Sequence, residues 1–287
     1  MAIGDFPDRK YLISARELGE RLEAVTLIDL RPAESFAIGH IEGSRHLDIY
    51  GVSLNDSSDA PLNAFLAMFR TLFGARGVSD GKPVVAYDHE TGERAARAVW
   101  LLAVLGHGDA RILDGGTQAW AASGRRLVRP TAAPPPPDPT VASPPSPPYK
   151  GIPDLDLLAT RFDVHRAIDE EQAVIVDVRR ESEFRGTERR ARRAGTIPGA
   201  VHIFWRDHLD DQGALRPPAQ IRDLYASKGV TPDKTVIPVC HGGYRSANTF
   251  LTLKSLGYPR VRNYVGSWAE WGNRDDSRIV VPGGATQ

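Results

Sequence analysis

Cysteine is nearly absent from this sequence of 287 residues, since Cys240 is the only one. A single thiol cannot form an intrachain disulfide, so nothing indicates an oxidising compartment. It also excludes the cysteine clusters that hold structural zinc or iron–sulfur centres. The histidines show no spacing typical of metal ligands, and we therefore expect no metal site.

An excess of charge and a long apolar run are also missing. The chain has 36 basic and 36 acidic groups, which removes the general electrostatic case for binding nucleic acid or an anionic membrane. The longest strongly apolar stretch, residues 98–105, is far shorter than the roughly 20 residues that cross a bilayer. The N-terminus has neither the basic nor the apolar part of a secretory signal. We therefore expect a cytoplasmic protein with no nucleic-acid or membrane partner.

Proline, by contrast, is concentrated in one segment. Ten of the 22 prolines lie within residues 129–150. Proline fixes its own backbone angle and donates no hydrogen bond, so this segment is predicted to be an extended connector without a core. The length suits two domains of about 100 to 200 residues each. We expect one domain at residues 1–128, a proline-rich linker at 129–150 and a second domain at 151–287.

The two halves contain the same landmarks in the same order. Each has an apolar strand ending in an Asp-x-Arg triplet, a glycine-flanked turn, a second strand, a helix ending at a glycine, and a tryptophan. In pairs, these landmarks are Asp29 and Asp177, Gly39 and Gly195, Asp88 and Cys240, Gly106 and Gly257, Trp120 and Trp271. Agreement at so many positions indicates two copies of one domain. The second copy has eight additional residues between its triplet and its turn.

Short β-branched runs, such as Val84–Tyr87, alternate with longer amphipathic segments, such as residues 62–73 and 247–256. Alternation of strand and helix predicts an α/β fold, in which each domain has a parallel sheet with helices on both faces. Ser14 and Glu17 have the spacing of a capping box, so a helix is predicted to begin there.

The loop after Cys240 is the most informative segment of the chain. An apolar strand leads to this cysteine, and a helical pattern begins at about residue 247. Between them lie His241, Gly242, Gly243, Tyr244, Arg245 and Ser246. In a parallel α/β sheet this edge binds ligands, and the two glycines allow successive backbone N–H groups to surround the sulfur. We expect these amides and the charge of Arg245 to lower the pKa of Cys240 below the roughly 8.5 of a free thiol.

A lone cysteine is more often a small buried apolar residue than a reactive one. Packing alone, however, does not require two glycines and an arginine directly after it. We therefore interpret Cys240 as a nucleophile.

With these motifs the chain resembles a tandem-domain rhodanese, a sulfurtransferase of the thiosulfate and 3-mercaptopyruvate group. The resemblance rests on the two Asp-x-Arg triplets, Gly-His-Ile-Glu-Gly at 39–43, Ile-Pro-Gly-Ala-Val at 197–201, the loop 240–245 and the segment 264–271. It covers nearly the whole chain, although Val265 stands where the family commonly has an acidic residue. It implies an inactive first domain, and Asp88 at the position of Cys240 agrees with this.

The resemblance also implies a double displacement. The Cys240 thiolate would take the outer sulfur of a small anionic donor as a persulfide, and cyanide, a small thiol or a thioredoxin-like protein would then remove it. The loop amides would hold the donor and stabilise the persulfide. No metal or organic cofactor is implied.

The donor is less clearly indicated. In this family, thiosulfate enzymes tend to have basic or polar loop residues, so His241, Tyr244 and Arg245 favour thiosulfate over mercaptopyruvate. Gly242 stands where some thiosulfate enzymes have a lysine. Arg185 is a candidate for the missing charge. The inserted arginines are further candidates for this charge, namely Arg189, Arg190, Arg192 and Arg193. A run of charged residues is, however, more often a solvent-exposed face.

Other functions remain as alternatives. The protein could chiefly carry persulfide to a protein partner. Cysteine-dependent phosphatases related to this fold have a loop one residue longer than the four residues between Cys240 and Arg245, which disfavours that chemistry. Redox sensing is disfavoured because no second cysteine can resolve a sulfenic acid.

Several neighbouring residues are expected to support the site rather than react. Asp177 and Arg179 recur in the copy without a thiol, so we predict that they orient the loop. His241 either tunes the thiolate or is an exposed loop residue. The tryptophans near the C-terminus, at 268 and 271, are predicted to pack in the core. The first domain is expected to wall the cleft, with Arg94 near the junction.

Overall fold

The computed structural model describes residues 3–129 and 147–283, which we call the first half and the second half. The first half contains strands β1 Leu12–Ile13, β2 Thr26–Asp29, β3 Arg45–His46, β4 Val84–Tyr87 and β5 Ala110–Leu113. Its helices are α1 Ala15–Glu20, α2 Ala33–Ile38, α3 Asp59–Gly74, α4 Glu93–Val104 and α5 Gly116–Ala122.

The second half repeats this series. Its strands are β6 Leu158–Ala159, β7 Ala173–Asp177, β8 Val201–His202, β9 Thr235–Val239 and β10 Asn263–Tyr264. Its helices are α6 Arg161–Ala167, α7 Glu181–Phe184, α8 Pro218–Ala226, α9 Arg245–Ser255 and α10 Ser267–Trp271. The predicted capping box begins α1, where the Ser14 hydroxyl accepts from the Glu17 amide and the Glu17 carboxylate accepts from the Ser14 amide.

Both halves use parallel strands in the same order. The first sheet runs β1-β5-β4-β2-β3. The second half has a three-stranded sheet β8-β7-β9 and a pair β10-β6, which a single bridge between Val236 and Val261 connects into the corresponding order. The common order confirms the predicted α/β fold with two similar units flanked by helices.

A proline explains why the second sheet is divided. In β9, the Val236 amide donates to Arg260 and the Val236 carbonyl accepts from Arg262, which are bonds toward β10. Two residues further on, the backbone nitrogen directed toward β10 is that of Pro238, which has no N–H group to donate. The ladder toward β10 therefore stops, while pairing with β7 on the other side continues.

The two halves share their largest apolar core, and each half has a smaller one of its own. Helix α4 packs against helix α9 where the halves meet, and the buried apolar side chains form a cluster that runs through both halves. The apolar stretch 98–105 lies in α4 and at its end, and all of it is buried. No helix within residues 3–129 and 147–283 combines the length and apolar character that crossing a membrane requires.

Most of the predicted proline-rich linker, residues 130–146, lies outside the described residues. The chain that follows it packs on the first half. Tyr149 is buried, its amide donates to the Arg70 carbonyl, and Arg70 donates to the carbonyls of Tyr149 and Gly151. The indole of Trp100 donates to the Leu157 carbonyl. Residues 149–157 therefore run along the first half before β6 starts the second sheet.

Candidate active site

Cys240 lies directly after β9, at the carboxyl edge of the second sheet, and α9 begins five residues later. Its side chain is 1% exposed. It lines a cavity of about 510 Å³ between the two halves. The position agrees with the rule that ligands bind at the carboxyl ends of parallel strands.

Residues 240–246, which we call the thiol loop, turn hydrogen-bond donors toward the sulfur. The Gly243 amide lies 3.1 Å from Cys240 Sγ, and the Ser246 hydroxyl lies 3.4 Å from it. Gly243 has a φ of +83°, a left-handed conformation that a side chain would penalise. Glycine at this position thus allows the chain to fold back on the sulfur.

The acidity of the thiol depends on its burial and on neighbouring groups of the thiol loop. Burial by itself raises the pKa of Cys240, because a thiolate loses solvation. The positive charge of Arg245 and the hydrogen bonds from Ser246 and Gly242 outweigh burial, so the pKa lies below its usual value. The thiol is therefore poised to ionise despite its burial.

A buried carboxylate holds Arg245 in place. Glu183, in α7, accepts from both terminal nitrogens of Arg245, at 2.6 and 3.1 Å, and its side chain is 1% exposed. Burial opposes ionisation of Glu183, but the hydrogen bonds from Arg245 lower its pKa overall. Burial also opposes the charge of Arg245, whose pKa the same hydrogen bonds raise. The pair is thus ionised and fixes the start of α9.

Ser267 is part of the site, and the sequence analysis did not identify it. It has a φ of +50°, the only left-handed non-glycine residue among the described residues. Its hydroxyl accepts from the Cys240 amide at 3.2 Å and lies 3.9 Å from Sγ. In the first half, Gly116 occupies the matching position with a φ of +53°. A serine where the other copy has a glycine was the available signal, because such strain persists mainly at functional positions.

The Tyr244 side chain anchors the thiol loop to the first half. Its hydroxyl lies 2.8 Å from the Val52 carbonyl and also contacts the Ile49 carbonyl. Burial raises the pKa of Tyr244 to about 12, so the phenol stays protonated and can donate. The first half is therefore joined directly to the loop that carries the thiol.

His241 is half-buried and lines the cavity. Burial, reinforced by the charge of Arg190, lowers the pKa of this imidazole to about 4. The ring is therefore neutral at physiological pH, so it is not the source of positive charge beside the thiolate.

We therefore expect His241→Gln to leave the pH dependence of Cys240 alkylation unchanged between about pH 5 and pH 9. Iodoacetamide labelling followed by mass spectrometry measures that profile. Displacement of the profile by more than about half a pH unit would show instead that the imidazole is charged in this range.

Two buried ion pairs of the same geometry occur in the two halves, at the ends of β2 and β7. Arg179 and Asp177 approach to 2.6 Å, and so do Arg31 and Asp29. Each arginine also donates to a carbonyl at 2.7 Å, and the acceptors are Gly195 and Gly39. These bonds are the same in the copy without a thiol, so they do not depend on the thiol, and the supporting role of Asp177 and Arg179 stays a prediction.

The predicted accessory arginines have separate positions. Arg185 is 56% exposed, pairs with Glu181 and does not line the cavity. Of the inserted arginines, Arg190 lines the cavity. Arg192 pairs with Asp275, and Arg193 donates to the carbonyls of residues 274 and 277. Arg180, which the sequence analysis did not single out, lines the cavity as well.

The first half supplies one wall of the cavity, as predicted, through Tyr50, Gly51, Ser53, Glu90 and Glu93. Arg94 does not line it; this guanidinium stacks 4.0 Å from the Tyr50 ring. Trp268 and Trp271 are buried in the core, where their indoles donate to backbone carbonyls.

The loop of the first half, residues 88–94, differs from the thiol loop in its contacts. Burial raises the pKa of Asp88, which stands where the other copy has the thiol. Counted from Asp88, Thr91 takes the place of Gly243, and its amide donates to the Gly213 carbonyl in the second half. The amides that do contact the residue 88 side chain are those of His89 and Arg94, which donate to the Asp88 carboxylate at 2.9 and 3.3 Å.

Comparison with known proteins agrees with this arrangement. The rhodanese-like domain matches the chain twice, at residues 14–123 and 160–274. A thiosulfate sulfurtransferase of Pseudomonas aeruginosa is 36% identical, covering 96% of this chain and 99% of that protein. The sulfur carrier protein TtuD of Thermus thermophilus is 33% identical over 92% of this chain and 94% of that protein.

A solved structure of an anaerobic ergothioneine biosynthesis enzyme from Chlorobium limicola aligns with a TM-score of 0.79. It covers 96% of this chain and 71% of that one at 19% identity, which shows a common fold. The sequence-based prediction of a sulfurtransferase with two rhodanese-like domains is thus confirmed at the level of family and enzyme class. The two matched domains cover most of the chain and meet at the cavity beside Cys240. This chain is therefore a member of the rhodanese-like family.

Proposed function

We propose that this protein is a thiosulfate sulfurtransferase in which Cys240 carries the sulfur as a persulfide. The observation that supports this most directly is the Gly243 amide at 3.1 Å from a sulfur whose pKa is lowered. Relatives named thiosulfate sulfurtransferase at 36% and 34% identity, each spanning 96% of this chain, support the same donor.

The reaction then has two displacement steps. The Cys240 thiolate attacks the outer sulfur of thiosulfate, the bond between the two thiosulfate sulfurs breaks, and sulfite leaves with the electron pair. Sulfite is a stable anion, so this step requires no proton donor. Cyanide or a thiolate next attacks the outer sulfur of the persulfide, forming thiocyanate or an acceptor persulfide, and the Cys240 thiolate is restored.

The cavity has charges suited to a small dianion. Four arginines line it: Arg180, Arg190, Arg206 and Arg245. Two of these charges are compensated, since Arg245 pairs with Glu183 and Arg206 pairs with Glu90. Arg180 forms no ion pair with the described residues, and Arg190 approaches a carboxylate only at 3.8 Å. We assign these two arginines to the sulfonate oxygens, in place of Arg185.

In this proposal the first domain, residues 1–128, is catalytically inactive, residues 129–150 connect it to the second, and residues 151–287 carry the chemistry. Asp88 cannot accept a sulfur atom, and a carboxylate at this position repels anions. The Thr91 amide, which takes the place of the Gly243 amide counted from Asp88, donates to the Gly213 carbonyl. The first domain instead supplies a cavity wall and the carbonyls that anchor Tyr244.

A persulfide carrier is the second candidate, because the Thermus relative is named a sulfur carrier protein. A carrier should pass sulfur to a reduced protein thiol faster than to cyanide. Mercaptopyruvate is the alternative donor. The location in the cytoplasm stays a prediction.

Intact-mass measurement of the protein after brief exposure to each donor tests the proposal. We expect thiosulfate to add one sulfur atom to the wild-type chain and mercaptopyruvate to add it more slowly, because the cavity arginines suit a dianion. Subsequent cyanide should remove the added mass and release thiocyanate. No mass gain with either donor would contradict sulfur transfer, and a faster gain with mercaptopyruvate would reassign the donor.

A further inference from the structure

Arg97, in α4 of the first half, is an unusual buried charge. Its side chain is 0% exposed, and none of its three guanidinium nitrogens has a hydrogen-bond partner among the described residues. Arginine remains protonated in proteins, and a buried cation without a partner is strongly destabilising. Packing does not explain this residue, since an apolar side chain of similar volume would avoid the cost.

Aromatic rings surround the guanidinium without neutralising it. Its central carbon lies 4.9 Å from the Trp100 ring, 5.0 Å from the Tyr244 ring and 5.6 Å from the Phe65 ring. Aromatic faces attract cations, which accounts for part of the stabilisation. No carboxylate of the described residues forms an ion pair with Arg97, so its charge is left to act on something else nearby.

The thiol loop also lies against the guanidinium. A Cβ atom at position 243 would overlap Arg97 Nη1, so the cation lies directly behind the Gly243 backbone. The amide of that glycine contacts Cys240 Sγ. Burial lowers the pKa of Arg97, and negative charge on Tyr244 or Cys240 opposes that effect. Arg97 and an anion at Cys240 thus stabilise each other through one peptide unit.

The matching helix position in the other copy shows a related role. Helix α4 is followed by Gly106, and Arg97 lies nine residues before this glycine. Helix α9 is followed by Gly257, and Asn248 lies nine residues before it. The Asn248 side chain donates to the Thr91 carbonyl, in the loop of the first half, at 2.6 Å. Each central helix therefore presents this residue to the loop of the other half, and only the loop with a thiol faces a cation.

We propose that Arg97 is a positioning residue for sulfur transfer, whose guanidinium, supplied by the inactive half, is the buried countercharge of the Cys240 thiolate and persulfide. The proposal rests on the function proposed above. The nearer arginine of the loop, Arg245, is already compensated by Glu183, whereas Arg97 is not. Both anionic states of residue 240 occur in each catalytic cycle, so a permanent countercharge serves both.

Arg97→Met tests this inference, because methionine fills similar space without charge. We expect the pKa of Cys240, measured from the pH dependence of iodoacetamide alkylation, to rise by about one unit. Alkylation well below that pKa should slow about tenfold. The urea midpoint of unfolding should be unchanged or higher, because an unpaired buried charge has been removed. A merely structural arginine would give the opposite pattern, with lower stability and an unchanged thiol pKa.

Asn248→Leu is the matched control, since it removes a buried polar side chain at the corresponding position but faces the loop without a thiol. It is expected to leave the pKa of Cys240 unchanged. If Arg97→Met does not fold, Arg97→Gln removes the charge while keeping polar donors. The role of Arg97 is overturned, and the proposed function is not, if the pKa of Cys240 stays at its wild-type value in the variant without the charge while the wild-type protein still forms the persulfide. Absence of persulfide in the wild type overturns the proposed function itself.

Discussion

Cys240→Ser is expected to reduce sulfur transfer from thiosulfate to cyanide by at least about a thousandfold. A serine hydroxyl is not ionised at neutral pH and is a poor nucleophile toward sulfur, so the persulfide cannot form. The Gly243 amide and the Ser246 hydroxyl, which contact the sulfur at 3.1 and 3.4 Å, can still bond to the smaller oxygen. The fold should therefore survive, and thermal unfolding of the variant should resemble that of the wild type.

Thiocyanate release measures the loss of activity, and intact mass after thiosulfate measures the missing intermediate. Because the chain has one cysteine, any sulfur added to the wild type at a thiol is at residue 240. Blocking Cys240 with iodoacetamide provides a second control, since it leaves the sequence unaltered. A Cys240→Ser protein that still gained one sulfur atom, or retained more than about one hundredth of the activity, would contradict the assignment of the nucleophile.

Much of this site could be predicted because the sequence contains its own comparison. The repeated landmarks identify the fold, and the two copies differ at the residue after β4 and β9, which is Asp88 in the first copy and Cys240 in the second. The glycines and Arg245 predict a loop that turns its amides inward, and the structure places one of those amides against the sulfur. The Asp177–Arg179 pair could be separated from the chemistry because Asp29 and Arg31 repeat it.

Contacts between the halves could not be predicted in the same way. Arg97 and Tyr244 lie about 150 and 200 residues from the groups they face, and no periodicity connects such positions. Helix α7 is only one turn long, so sequence alone did not show that Arg180 faces the cavity while Arg185 pairs with Glu181. The neutral state of His241 depends on burial, which a single sequence does not reveal.

Two missed features did leave a signal in the chain. Pro238 matches Ala86 of β4, and a proline inside a central strand indicates that one ladder must stop. Ser267 matches Gly116, and this exchange indicates that a side chain has been placed where the backbone favours glycine. Comparison of the copies residue by residue, rather than by landmarks, would have identified both.

Gly243→Ala is expected to reduce kcat/KM for thiosulfate by about a hundredfold and to raise the pKa of Cys240. A φ of +83° costs a residue with a Cβ about 1–2 kcal/mol. The new methyl group would overlap Arg97 Nη1 and lie 3.0 Å from the Val265 carbonyl oxygen. The loop must therefore shift, and its amide would move away from the sulfur. Steady-state kinetics and the pH profile of alkylation measure the two effects.

Gly242→Ala is the matched control, because it adds the same methyl group one residue earlier in the thiol loop. Gly242 has no left-handed φ, and its Cβ would first meet the hydroxyl of Ser53, which can rotate away. We expect this variant to lose less than about tenfold in kcat/KM and to keep the thiol pKa of the wild type. Equal losses in the two variants would mean that crowding of the cavity, and not the amide held 3.1 Å from Cys240 Sγ, determines the activity.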